Sequence, residues 1–215
     1  MHINYFSNYG YSITDLSEES LFDVKKEVLK IRKNPSAAKS IADAVDGHIE
    51  GTYHLKDSIK SLEQLISPLL LAYDKEFNFL KANYLVLTED LKLTMNNAWV
   101  SFQNKYDFNP AHQHPGLFSF VIWLDIPYDR EDEIKYSPGQ SKINKSGAFT
   151  FYYTNVLGTI ETHDILLDQS YNNKMILFPS KLRHSVSPFY STDSTRVSIA
   201  GNVFYTQLDV NKPSM

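Results

Sequence analysis

The sequence predicts an α+β protein, a barrel or jelly roll of short strands braced by helices at its N-terminal end. Two observations carry this expectation. Apolar residues recur at helical spacing up to about residue 80 and at strand spacing beyond it. Turn-forming residues then divide the second part: Asn109-Pro110, Pro115-Gly116, Ser137-Pro138-Gly139, Ser146-Gly147, Gly158 and Asn172-Asn173. The chain reads as one domain over 1–215, with 1–80 as mainly helical support and 81–206 as the β core.

Leu21, Val24, Val28 and Ile31 form the first helical stripe, with Asp15 and Glu18 spaced as a capping box and Asn34-Pro35 as the stop. Ser36 to Val45 is predicted as a short helix that ends near Gly47. Leu55, Ile59, Leu62, Ile66, Leu69, Tyr73 and Phe77 make a longer stripe, with a kink expected at Pro68. Strands are predicted at Tyr84–Thr88, Leu91–Met95, Trp99–Gln103, Leu117–Asp125, Ala148–Tyr153, Ile160–Leu167, Met175–Phe178 and Arg196–Tyr205. The charge-rich stretch from Tyr128 to Ser146 reads as a long exposed loop, a length usually tied to function or disorder.

Composition narrows the function classes. Hydrophobic residues make up 42% and charged residues 21%, ordinary values for a globular protein. A net charge of −4 argues against a nucleic-acid partner. With no cysteines, there is no disulfide, zinc–thiolate site or thiol nucleophile, which suits a cytoplasmic location. Met1 to Gly10 lacks an apolar core for a signal peptide, and no stretch approaches a membrane span.

The chemistry centres on His112-Gln113-His114. Side chains at i and i+2 of a strand share a face, so both imidazoles can aim at one point. His184 follows an apolar strand and the turn at Pro179, and would supply a third. Three such ligands make a facial site with open positions for substrate and dioxygen on a non-haem iron. Taken singly, the pair also reads as surface histidines in a polar turn, and His184 as an exposed residue of a basic loop. On the last strand, Arg196, Ser198, Ala200, Asn202 and Phe204 share a face. A cation, a hydroxyl and an amide there suit a carboxylate, because arginine grips one bidentately; a solvent-facing strand is the other reading. Trp123 reads as pocket lining or as core, Asp125 as a reserve metal ligand or a turn residue, and His163 as structural.

The order of these parts resembles the 2-oxoglutarate and Fe(II)-dependent oxygenases, in particular the prolyl-hydroxylase-like branch and its members in phages and marine bacteria. The likeness lies in Asn109-Pro110-Ala111-His112-Gln113-His114, Phe120-Val121-Ile122-Trp123-Leu124, Leu177-Phe178-Pro179-Ser180 before His184, and Arg196-Val197-Ser198 before Asn202. It implies a double-stranded β-helix, the cupin-like barrel of two facing sheets. It implies Fe(II) on His112, His114 and His184, and 2-oxoglutarate on Arg196 with help from Ser198. Asn104, Trp123 and Asn202 would line the co-substrate pocket. The implied reaction is O2-dependent hydroxylation of a C–H bond, on a prolyl or other peptidyl side chain or an amino acid, with succinate and CO2 as co-products. The chain departs from the wider superfamily at His114, where an aspartate or glutamate is usual. A cupin-like three-histidine metal enzyme that does not use 2-oxoglutarate, and a non-catalytic binding module on the same fold, remain the alternatives.

Overall fold

The computed structural model describes residues 1–2, 8–44, 46–49, 51–85, 92–139 and 143–206. Among the described residues, ten strands are arranged in two sheets. They are β1 (Ser12–Asp15), β2 (Gly51–His54), β3 (Lys92–Gln103), β4 (Asn109–His112) and β5 (Phe118–Asp125), then β6 (Phe149–Thr154), β7 (Ile160–Ile165), β8 (Lys174–Pro179), β9 (Arg183–Val186) and β10 (Arg196–Thr206). The larger sheet has the order β1-β8-β5-β10-β3-β2 and the smaller β4-β9-β6-β7. Each pairing is antiparallel.

The larger sheet is covered on both faces, which explains why its central strands are apolar on both sides. Phe120, Ile122, Met175, Leu177 and Ile199 face the helices α1 (Phe22–Lys33) and α2 (Ile59–Phe77), where they meet Val24, Val28, Leu62, Ile66 and Leu70 in one core cluster. Their neighbours Trp123, Ile176 and Phe178 point the other way and pack with Phe149, Phe151 and Ile165 of the smaller sheet. Period-2 alternation thus divides each strand between a helix-facing core and an inter-sheet core. The inter-sheet space stays open on the β3–β10 side, and there it becomes a cavity of about 390 Å³.

Several expectations change. Asp15 ends β1, which pairs with β8, so it does not cap a helix. Glu18 instead bonds Lys25 Nζ at 2.6 Å and Asn173 at 2.7 Å, and α1 begins without a side-chain cap. The segment after Pro35 forms two 3-10 turns, Pro35–Ala37 and Ala42–Ala44, in place of a helix. The helix α2 runs through Pro68 to Phe77. Tyr84 closes the short helix α3 (Phe79–Tyr84), Leu85 caps it with φ 53°, and the rest of the strand expected there, 86–88, lies outside the described residues. The expected strands at 91–95 and 99–103 are one strand, β3, from Lys92.

The largest correction concerns the stretch from Tyr128 to Ser146. It is not an exposed loop throughout: it carries α4 (Arg130–Tyr136), and Tyr128, Glu133 and Ser146 are buried. The polar residues go inside because each finds partners there. Glu133 accepts backbone N–H groups of Tyr190 and Ser191, and Arg130 donates to the carbonyls of Asn144 and Ser146.

Candidate metal and carboxylate site

His112 ends β4 and lies directly across from His184 of β9. His114 follows two residues on, and its backbone N–H donates to the Ser180 carbonyl at 3.0 Å. The possible ligand atoms of the three imidazoles lie within 4.8 Å of one another. Ring centroids are 4.4 Å apart for His112 and His184, 4.8 Å for His112 and His114, and 5.0 Å for His114 and His184.

Two of the rings are held by the backbone. Nδ1 of His112 lies 2.7 Å from the Pro110 carbonyl, and Nδ1 of His184 lies 2.9 Å from that of Leu182. A carbonyl only accepts, so each Nδ1 carries the proton and each Nε2 keeps its lone pair. His184 is 2% exposed, stacks on Phe149 at 5.3 Å and touches Phe178. Burial first, then the neighbouring His112, pushes its pKa down to about 3. The same causes in the same order take His114 down to about 4. Both rings are therefore neutral at pH 7, the state that binds metal. Three converging imidazoles, two of them with Nε2 left free by the Nδ1 contact, fit a divalent transition metal.

The second part of the site is a ladder between β3 and β10. Gln103 pairs with Arg196, Ser101 with Ser198, Trp99 with Ala200 and Asn97 with Asn202, and all eight residues line the cavity. At about 3.4 Å per residue the ladder spans roughly 20 Å. Its middle lies beside the metal ligands, for Trp99 is 5.8 Å from the His114 ring. Arg196 stands at one end and Asn202 at the other. Ser119 links that second end together, 2.9 Å from Ser180 Oγ and donating to Asn202 Oδ1 at 2.7 Å.

Arg196 is 1% exposed. Its Nε donates to Gln103 Oε1 at 3.0 Å, Nη1 to Tyr128 Oη at 2.8 Å and to the Gly147 carbonyl at 3.4 Å, and Nη2 to the Ser187 carbonyl at 3.2 Å. Phe189 lies 5.2 Å beneath the guanidinium. All these partners are neutral, so the charge is buried with hydrogen bonds but, among the described residues, without a directly bonded counter-ion. That arrangement suits an incoming anion. Burial raises the Tyr128 pKa, so its hydroxyl stays protonated.

Of the residues singled out in the sequence, His112, His114, His184, Arg196, Ser198, Trp123 and Asn202 line this one cavity. Asn104 does not. It sits exposed in the turn after β3, where its N–H donates to Asp107 at 2.8 Å, and strand parity turns Gln103 inward in its place. Asp125 is exposed at the end of β5 and is not part of the ligand cluster. His163 lies on β7, with Nε2 2.7 Å from the Tyr11 hydroxyl. Sequence reasoning missed Gln103 and Tyr128. The alternation Asn97, Trp99, Ser101, Gln103 matches that of β10 and was a usable signal for the first. Nothing local marks Tyr128.

Residues 97–202, about half of the chain, match the family described as "Putative 2OG-Fe(II) oxygenase". Over that segment the chain is a 2OG-Fe(II) oxygenase by family. Members of this family are enzymes that use Fe(II) and 2-oxoglutarate. Solved structures agree on the fold. A prolyl-4-hydroxylase of Pseudomonas putida is 12% identical with a TM-score of 0.53, over 93% of this chain and 94% of that one. A Trichoplax adhaerens prolyl hydroxylase, in complex with a hypoxia-inducible-factor peptide fragment, is 16% identical with a TM-score of 0.54, over 92% and 83%. The non-haem α-ketoglutarate-dependent epimerase SnoN, from nogalamycin biosynthesis, is 12% identical with a TM-score of 0.52, over 94% and 80%. The shared fold is the double-stranded β-helix expected from the sequence. No curated protein matches the chain. Among the described residues, no helix is long and apolar enough to cross a membrane.

Proposed function

We propose that this oxygenase hydroxylates a C–H bond of a peptidyl or amino-acid side chain, with Fe(II) on His112, His114 and His184 and 2-oxoglutarate on Arg196. The observation that carries the reading is the pairing of a three-imidazole cluster with a buried guanidinium in one cavity. When bound, Fe(II) and 2-oxoglutarate supply the O2-dependent oxidation, which releases succinate and CO2. The protein's own groups bind and orient. Arg196 has five N–H bonds, four of them committed in the contacts above, which leaves one on Nη2 for a carboxylate oxygen. Ser198 stands one rung nearer the metal and can add a second donor. Phe149, Val121 and Trp123 give the cavity an apolar wall that keeps water from the reacting centre.

The primary substrate would enter past Ile41, Asp46, Ile49 and Pro115. Asp46 is exposed, and no lysine or arginine accompanies it there among the described residues. That sign disfavours anionic substrates and fits a neutral or cationic side chain.

A second reading rests on His114. An imidazole where a carboxylate is usual leaves the bound metal more positive, as in a three-histidine enzyme that does not use 2-oxoglutarate. Succinate formation separates the two. Purified protein given Fe(II), O2 and 2-oxoglutarate is expected to release succinate, and to release more with a peptide or amino-acid substrate. No succinate under any of these conditions, with metal bound, would favour the second reading.

A further inference from the structure

Arg196 is held by groups from four separate places in the chain: Gln103, Tyr128, Gly147 and Ser187. Two of these contacts are carbonyls on connecting segments, outside the sheets. They lie just outside β6 and β9, where backbone bonds tie the two segments to each other, Gly147 N–H to the Pro188 carbonyl at 2.7 Å and Ser187 N–H to the Ala148 carbonyl at 2.8 Å. Gly147 has φ +67°, and a Cβ added there would lie 2.7 Å from Tyr128 Oη, so this turn fits tightly against the arginine's partner.

This pair of segments is in turn tied to α4 by side chains. From its first residue, Arg130 donates through Nη1 to the Ser146 carbonyl and through Nη2 to the Asn144 carbonyl. That secures the approach to Gly147. From the middle of the helix, Glu133 reaches the other segment. Its Oε1 accepts the N–H of Tyr190 at 3.0 Å and of Ser191 at 2.8 Å, and its Oε2 lies 3.0 Å from the same Tyr190 nitrogen. Glu133 is fully buried. Phe189, next to Tyr190 in the chain, lies under the Arg196 guanidinium and stacks on Tyr128 at 5.1 Å. Neither Arg130 nor Glu133 lines the cavity.

We propose that Arg130 and Glu133 are positioning residues for co-substrate recognition, acting as a clip that sets the Arg196 guanidinium at the angle a carboxylate needs. The inference rests on the reading of Arg196 as the 2-oxoglutarate receptor. A guanidinium–carboxylate contact depends on alignment in a way that a point charge does not. Loss of a charge-assisted hydrogen bond at Glu133 leaves the backbone N–H groups of Tyr190 and Ser191 poorly matched. The 187–191 segment then shifts, and with it the Ser187 carbonyl and the Phe189 ring that orient the arginine.

A merely structural clip would weaken every ligand alike, whereas a positioning clip acts only on ligands with a distal carboxylate. The test is calorimetric binding of 2-oxoglutarate and of 2-oxobutyrate, which lacks that carboxylate, to the full chain loaded with Mn(II). Glu133→Gln is expected to raise the 2-oxoglutarate Kd about tenfold, in line with the cost of small misplacements at a site. It should move the 2-oxobutyrate Kd less than about twofold on the same reasoning. Arg130→Lys, which keeps the charge but cannot span two carbonyls, should show the same selectivity and decides the matter if Glu133→Gln does not fold. Equal shifts for both ligands, or none for either, would overturn the inference. If the parent binds the two ligands equally, the reading of Arg196 fails first, and the two failures are told apart.

Discussion

The two ends of the cavity are built in different ways. The metal end comes from short pieces: His112 at the end of β4, His114 two residues beyond it, and His184 directly across from His112. Two of the rings are oriented by a carbonyl two residues before them, Pro110 for His112 and Leu182 for His184. The carboxylate end is assembled from distant pieces. Arg196 needs residues 103, 128, 147 and 187 to come together, and the segments that carry the last two are tied to α4. A site made of local geometry tolerates changes elsewhere in the fold, whereas one made of distant contacts transmits them.

The largest effect should come from the metal end. His184→Ala removes one of three ligands and opens space beside Phe149, so metal content should fall from one ion per chain to near zero and activity should vanish. Metal analysis after dialysis checks this. Binding of 2-oxobutyrate, which depends on the metal, should be lost with it. Unchanged metal content in both His112→Ala and His184→Ala would remove the ligand assignment altogether.

How much of this contrast was legible follows from the same physics. His112 and His114 could be named as a pair from their spacing, whereas His184, on a separate strand, joined them through the order of motifs that carries the family resemblance. The polar face of β10, with Arg196, Ser198 and Asn202, could be named from its spacing. Asn104 was chosen where Gln103 is the inward residue, since the register that turns Gln103 toward Arg196 is a property of the β3–β10 pairing. The role of Tyr128 and the order in α4 were hidden because their charged and polar residues look like a solvated loop until Asn144, Ser146, Tyr190 and Ser191 are brought to them. Likewise β1 and β2 are short edge strands, too brief for a periodic signal, and only their pairing with β8 and β3 defines them.

A smaller effect concerns pH. With folded pKa values pushed down to about 4 for His114 and about 3 for His184, the folded metal-free protein binds fewer protons than the unfolded chain, whose histidines titrate near 6.5. Stability is therefore unaffected by these groups above about pH 6.5 and falls as pH drops from there toward the folded values. Bound metal competes with protons for the same nitrogens, so the loaded protein should hold its stability to lower pH. Denaturant unfolding at pH 7.5 and pH 5, with and without Mn(II), measures it. A metal-free protein equally stable at both would contradict the burial of neutral imidazoles.

The claim that the two ends serve one ligand is tested most directly by the affinity of 2-oxoglutarate for the parent protein, with and without Mn(II), and for Mn(II)-loaded Arg196→Ala. Binding should require both ends. Loss of the buried contact at Arg196 should cost roughly 2–5 kcal/mol, while the variant keeps its metal, and metal-free parent should bind weakly. If 2-oxoglutarate binds the metal-free protein as well as the loaded one, or binds loaded Arg196→Ala as well as the parent, the cavity is not a joint metal and carboxylate site.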